Sequence, residues 1–311
     1  MATLLLTHKD ADGHQNPDGH PEQVARLDYV RQALEAPEFK DLIRADAPMG
    51  TDEMIALAHP ERYIDRIKRV APSEGLVAID GDTSLVPGTL AAAYRGVGGA
   101  VMAVDQVMEG KVNDAFLAMR PPGHHAEKET AMGFCIFGNV AIAAKYALRH
   151  HGLGRVAIVD FDVHHGNGTE DLVKSDDRIL FISSHQMPLY PGTGYPSEIG
   201  PHRTIVNVPF GASTKGVYMR ETYEAVVFPR IREFKPDLLL VSAGFDAHAA
   251  DPLANLMWLE EDFAWLGREL KTLAKDLCDG RMVSVLEGGY NLEALGASVA
   301  SYISSIMDEP K

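Results

Sequence analysis

With 311 residues, 46% of them hydrophobic and 23% charged, the chain has ordinary globular composition and enough length to bury a full core without staples. Its 29 basic and 44 acidic residues leave a formal net charge of −15, which disfavours nonspecific binding to nucleic-acid phosphates or anionic lipid. Two cysteines, Cys135 and Cys278, cannot build a disulfide scaffold, the N-terminal apolar run is too short for a signal peptide, and no stretch approaches the ~20 apolar residues of a membrane span. A soluble protein of a reducing compartment, the cytoplasm, with no membrane or nucleic-acid partner, is the expectation.

In chain order, Leu4–Thr7 reads as a strand, followed by helical patterns at Glu22–Glu35, Pro60–Val70 and Thr89–Glu109. Asp114–Met119 reads as a strand and Asn139–His150 as a helix. Strands follow at Arg155–Phe161, Ile179–Ser183 and Thr204–Val208, then a helix over Gly216–Phe234. The chain closes with strand Leu238–Ala243, helix Glu260–Leu277, strand Met282–Leu286 and helix Asn291–Met307. The runs VAIV, LLLVSAG and MVSVL are continuously apolar, as in strands buried on both faces of a parallel sheet. The alternation predicts a doubly wound α/β architecture. No repeat or linker divides it, so one domain over residues 1–311 is expected.

The densest chemical signal is VDFDVHHGNG at 159–168. Side chains alternate along a strand, so Asp160, Asp162 and His164 are expected on one face at the end of a buried strand. Two carboxylates and an imidazole are costly there without a cation or hydrogen-bond partners. Aspartate oxygen with histidine nitrogen suits zinc or another divalent transition metal. LLLVSAGFDAH delivers Asp246 in the same way, NDAFLAM leads into Arg120–His125 with tandem histidines His124 and His125, and MVSVLEGGY ends at Tyr290. In open α/β sheets ligands bind at the carboxyl ends of strands. Four strand ends offering acid, imidazole and phenol together suggest a metal hydrolase.

RPPGHHA, MGFCIFGNVAIA, VDFDVHHGNGT, YPGTG, SAGFDAH and EGGYNL stand in one order across most of the chain. With these blocks the sequence resembles the zinc-dependent histone deacetylase family, in particular its class II-like and bacterial members, relatives of the acetylpolyamine amidohydrolases. The resemblance implies the arginase/deacetylase fold, a three-layer α/β/α sandwich around a mainly parallel eight-stranded sheet. It implies Asp162, His164 and Asp246 as ligands of one Zn2+, His125 as general base and then acid, and His124 as an electrostatic partner bound to Asp160. Asn167 stands where class I members carry aspartate, which should leave His125 less basic. Tyr290 matches the tyrosine that donates to the developing oxyanion. Gly133, Phe134 and Tyr190 match tunnel walls, Leu253 a rim residue, Arg26 an arginine beneath the site, and His20 and Pro21 a rim loop, with Asp82 on another. A K+ ion is implied at main-chain oxygens of Asp160, Asp162, His164 and Ser184 with the side chains of Asp160 and Ser183.

The reaction so implied is hydrolysis of an N-acetylated primary amine to acetate and free amine. Acetyl-lysine and acetylpolyamines both remain open as substrates, as do zinc and ferrous iron as native metal, and the oligomeric state is not legible. Polyamine specialists of the family carry glutamate at the Leu253 position; its absence favours acetyl-lysine, unless Asp12, Asp82 or Asp251 supplies the carboxylate. An arginase-like binuclear manganese site would need bridging aspartates in place of the histidine pair and Tyr290, and a pure acyl-lysine binding module would not need a general base. Gly96, Gly98 and Gly99 lie in a helical pattern with no strand before it and indicate helix packing, not a dinucleotide loop. His150 and His151 suit a helix end, Cys135 a buried wall, and Met307–Lys311 a solvated tail.

Overall fold

The computed structural model describes residues 2–307; the expected tail beyond Met307 lies outside them. In chain order the elements are β1 (Thr3–Thr7), α1 (Ala25–Ala33), β2 (Ile43–Asp46), α2 (Asp52–Ile55), α3 (Glu61–Val70), β3 (Val77–Ala78), β4 (Ser84–Leu85), α4 (Thr89–Met108), β5 (Asp114–Leu117) and α5 (Asn139–His150). They continue as β6 (Val156–Asp160), α6 (Asn167–Val173), β7 (Ile179–Gln186), β8 (Ile205–Phe210), α7 (Gly216–Thr222), α8 (Phe228–Phe234), β9 (Leu238–Ala243), α9 (Glu260–Leu277), β10 (Met282–Leu286) and α10 (Leu292–Ile306). Eight strands form one sheet in the order β2-β1-β5-β10-β9-β6-β7-β8, and every neighbouring pair is parallel. β3 and β4 form a separate antiparallel pair.

Successive residues of a strand point to opposite faces, and β5 shows what covers each. Phe116 meets Tyr302 of α10 at 6.0 Å between ring centres, whereas the Leu117 side chain lies against Gly99 of α4. Helices therefore cover both faces, which gives the three-layer arginase/deacetylase sandwich. The central strands β5, β6, β9 and β10 are buried at every residue, as expected of their largely apolar sequences.

To the seven strands read from sequence the structure adds one in the main sheet, β2, besides the separate pair β3 and β4. β2 has the sequence IRAD and no buried residue, because it forms an exposed edge of the sheet and needs no core-facing run. The helix expected from Glu22 begins at Ala25 instead. The Glu22 carbonyl accepts from Asn16 Nδ2 (2.7 Å) and Arg120 Nη2 (3.2 Å), so Arg26 N–H turns to Gln23 O (3.1 Å). The helix expected over Gly216–Phe234 is interrupted by a π turn at Tyr223–Val227, just ahead of Pro229, which has no N–H to continue an α-helical ladder. Among the described residues no helix is long and apolar enough to cross a membrane.

The glycines of α4 serve packing, as expected. A Cβ on Gly98 would collide with the Pro48 carbonyl oxygen, and one on Gly99 would come 3.0 Å from the Ala47 side chain. Gly98→Ala is therefore expected to destabilise the fold by about 1–3 kcal/mol through overpacking, although alanine is the better helix former by about 1 kcal/mol. Urea titration of the two proteins checks this, and an equally stable variant would contradict it.

Candidate active site

The strands β5, β10, β9 and β6 are consecutive neighbours in the sheet, and the segments leaving their carboxyl ends carry His124 and His125, Tyr290, Asp246, and Asp162 with His164. Topology thus converts four distant sequence blocks into one cluster. Asp162, His164 and Asp246 are buried, and one ligand atom from each lies within 4.8 Å of the others. The pleat does not produce this grouping, contrary to the expectation from alternation. β6 ends at Asp160, and Asp162 and His164 are gathered by the loop itself, where Asp162 Oδ1 accepts from His164 N at 2.9 Å.

The loops also orient the carboxylates. Asp246 Oδ1 accepts from Val163 N at 2.9 Å and Asp162 Oδ2 from Gly288 N at 2.7 Å. Gly288 must be glycine, because a Cβ there would run into the Asp246 and Asp162 carboxylates. Burial opposes charge on all three groups. Even so, hydrogen bonds to Asp162 and Asp246, each 3.2 Å away, hold the His164 imidazole up to about 10. Burial and the neighbouring Asp162 charge push Asp246 up to about 7. Two carboxylates and an imidazole gathered this closely out of water fit a divalent cation such as zinc, whose binding would displace the imidazole proton.

The tandem histidines have different surroundings. His124 Nδ1 lies 3.0 Å from Asp160 Oδ2, and the Asp162 and Asp160 charges outweigh burial to hold it well above the ordinary imidazole value. His125 Nδ1 lies 2.7 Å from Asn167 Oδ1, and Asn167 Nδ2 donates to Glu127 Oε1 at 2.9 Å. With the amide oriented by Glu127, its oxygen accepts and His125 Nδ1 donates, which leaves Nε2 with a free lone pair. Burial, reinforced by His124 and His164, pushes His125 well below its ordinary value.

A cavity of about 240 Å3 opens onto these groups, lined by Pro21, Asp82, His125, Gly133, Phe134, His164, Leu189, Tyr190, Leu253 and Tyr290. Phe134 has a left-handed backbone (φ 68°) and follows Gly133 (φ 55°), where a Cβ would come 2.5 Å from the His125 ring. The Tyr190 ring stands edge-on to His125 at 5.1 Å, and Phe134 edge-on to Tyr290 at 5.8 Å. Burial pushes the Tyr290 phenol well above its ordinary value, so it stays a proton donor. His20 packs edge-on against Phe134 at 4.8 Å and meets the Asp82 carbonyl at 3.1 Å. Arg26 lies 5.0 Å from the Tyr290 ring centre, and its Nε and Nη2 donate to Gly289 O (2.7 Å) and Glu287 O (2.5 Å). Ser184 Oγ bonds Tyr223 Oη at 2.6 Å, and Ser183 Oγ lies 3.0 Å from His185 Nδ1.

Three buried acids with structural work at the site were not singled out for it from sequence. Glu287 Oε2 accepts from Gly123 N (2.6 Å) and His124 N (3.1 Å), anchoring the histidine loop to the end of β10. Its only sequence signal is an acid directly after the apolar run MVSVL. Glu22 bridges Arg120, Arg26 and His14. Asp251, expected as a possible rim carboxylate, instead has its oxygens occupied by main-chain N–H groups. Cys135 and Cys278 are both buried and unpaired, and Cys135 Sγ accepts from His125 N at 3.4 Å.

The Histone deacetylase domain matches residues 20–306. Histone deacetylase 14, chloroplastic, of Arabidopsis thaliana is 41% identical over 99% of this chain and 77% of its own length. A probable deacetylase of Archaeoglobus fulgidus is 36% identical over 100% of this chain and 90% of its own. The crystal structure of the HDA15 HD domain superposes with a TM-score of 0.91 at 30% identity, covering 97% of this chain and 87% of that one. Fold, motif order and these likenesses agree, and the chain belongs to the histone deacetylase family.

Proposed function

We propose that this deacetylase is a zinc-dependent amidohydrolase that releases acetate from N-acetylated primary amines, acetyl-lysine side chains above all. The observation that carries the reading is the convergence of Asp162, His164 and Asp246 with the free Nε2 edge of His125 and the Tyr290 phenol around one narrow cavity. Zinc held by those three residues would polarise the acyl carbonyl and acidify the attacking water. His125 Nε2 takes the proton from that water and passes it to the departing amine nitrogen, while Asn167 and Glu127 hold the ring in the required tautomer. His124, kept cationic by Asp160, steadies the negative charge that develops beside it. Tyr290 Oη donates to the carbonyl oxygen as that oxygen becomes an oxyanion. Phe134 and Tyr190 flank the methylene chain, Gly133 lets the wall approach His125, and Pro21, His20 and Leu253 form the mouth. The same reading includes a K+ ion at Asp160, Asp162, His164, Ser183 and Ser184. The two buried unpaired cysteines support a reducing compartment such as the cytoplasm.

One observation favours an acetylpolyamine or similar cationic acylamine as second reading. Of the three carboxylates that could replace a rim glutamate, Asp12 is paired with Arg31 and Asp251 is buried on main-chain donors, but Asp82 lines the cavity itself. Acetate release from an acetyl-lysine peptide and from N-acetylputrescine, measured side by side on the zinc-loaded protein, decides between them. A higher kcat/KM on the peptide is expected; preference for N-acetylputrescine would assign Asp82 to a second ammonium. Loss of a direct ligand should exceed the 10–100-fold cost typical of outer-shell changes, so Asp246→Ala should bind zinc more than about 100-fold more weakly. Competition with a chromogenic chelator reads this directly, and unchanged zinc affinity would remove Asp246 from the ligand set.

A further inference from the structure

We propose that Asp251 is a positioning residue that couples the cavity rim at Leu253 to the placement of the Tyr290 phenol. The inference rests on the assignment of Tyr290 as donor to the acyl oxygen. Asp251 is only 8% exposed, and the hydrogen bonds to its carboxylate among the described residues come from main-chain N–H groups of two loops. Oδ2 accepts from Tyr290 N at 2.7 Å and Asn291 N at 3.4 Å, both in the segment after β10. Oδ1 accepts from Leu253 N at 2.9 Å, in the segment after β9.

A buried carboxylate is tolerable when several N–H groups solvate its charge. The pattern of acceptors matters as much as the charge. Tyr290 and Leu253 both present donors, so each side needs an oxygen. A carboxylate supplies two, whereas an asparagine would have to turn its NH2 toward one of the donors. Among the described residues the Tyr290 phenol has no hydrogen-bond partner of its own. Its position is set by its ring contacts with Phe134 and Arg26 and by where its backbone is held. Asp251 holds that backbone at the residue's own N–H.

The two loops are joined again nearby. Asn291 Nδ2 donates to Ala250 O at 3.2 Å and Phe245 N to Gly288 O at 3.0 Å. Leu253 and Tyr290 both line the cavity. A substrate body seated against Leu253 therefore bears on the same carboxylate that places the oxyanion donor. A substrate with no body at the rim lacks that contact. Misplacement of a catalytic group by about 1 Å can cost on the order of 100-fold in rate, so a modest shift of the Tyr290 backbone is enough to matter.

The test uses the full-length zinc-loaded protein as wild type, Asp251→Asn, Tyr290→Phe and the double variant. Substrates are an acetyl-lysine peptide, which reaches the rim, and N-acetylbutylamine, which ends inside it. Asp251→Asn keeps the side-chain volume and is preferred to Asp251→Ala, which opens a cavity between the loops; zinc content is read for each protein. Asp251→Asn is expected to lower kcat about 10–100-fold on both substrates and to raise KM for the peptide only. In the Tyr290→Phe background the same change should alter kcat by less than about threefold, because the group it positions is already gone. Losses that multiply in the double variant, or wild-type kcat in Asp251→Asn, would overturn the coupling while leaving the Tyr290 assignment intact. Wild-type turnover by Tyr290→Phe alone would overturn the oxyanion assignment and the coupling together.

Discussion

Under the proposed mechanism, replacing His125 with alanine is expected to lower kcat by about 1,000-fold while metal binding is unchanged. The magnitude is that of a well-placed general acid–base group, typically 10²–10⁴-fold. His125 is suited to the role because Asn167 and Glu127 fix its tautomer, which leaves the Nε2 lone pair free, and because the residue lines the cavity. It is not one of the three residues that converge as metal donors, so metal binding and turnover should separate. Tyr290→Phe removes one oxygen and, with Tyr290 as the proposed oxyanion donor, should cost about 10²–10³-fold in kcat with little change in KM, since such a hydrogen bond would strengthen only as the oxyanion forms. Steady-state kinetics on an acetyl-lysine peptide with metal analysis of each variant gives both numbers. A His125→Ala protein that turned over normally would take the proton-transfer role away from this residue.

The largest expected effect on stability is at Glu22. Its carboxylate is fully buried and meets Arg120 at both oxygens, by Nε on Oε1 and by Nη2 at 2.7 Å on Oε2. Arg26 Nη1 lies 3.2 Å away, and His14 Nε2 and Asn16 Nδ2 lie at 3.3 and 2.8 Å. Glu22→Gln leaves two buried guanidinium groups without a counter-charge, which should cost about 3–5 kcal/mol. Burial alone would raise the Glu22 carboxyl, but Arg120, His14 and Arg26 hold it well below its ordinary 4.5. A depressed folded-state value means the carboxylate stabilises the fold fully above about pH 4.5. The contribution fades as pH falls from there through the folded value. Urea titrations of wild type and Glu22→Gln should therefore differ most at neutral pH and converge in acid. A gap that widened on acidification would contradict the assignment. Because Arg26 also ties down Gly289 and Glu287, the variant should lose activity beyond its loss of folded protein.

The parts of the fold that were legible from sequence are those whose burial is written locally. β6, β9 and β10 are buried on both faces, so apolar residues dominate them with no polar alternation. β2 is not legible because an exposed edge strand carries no such apolar run, and the sequence does not mark the break at Tyr223–Val227 because Pro229 permits either a helix start or a π turn. The candidate ligands were legible because Asp, His and Tyr directly after buried strands are expensive to place without a purpose.

Within the sequence itself lay the α/β alternation, the positions of Asp162, His164, Asp246, His124, His125 and Tyr290, and the family those blocks indicate. Only the tertiary structure decided that these blocks are neighbours, because strand order is set by crossovers that adjacency in the chain does not reveal. It also decided the support beneath them. Glu22 meets Arg120 across 98 residues, Glu287 meets Gly123 across 164, and Asp251 meets Tyr290 across 39. A buried charge takes whichever partner the packed chain brings within hydrogen-bond reach, and no local pattern encodes that choice.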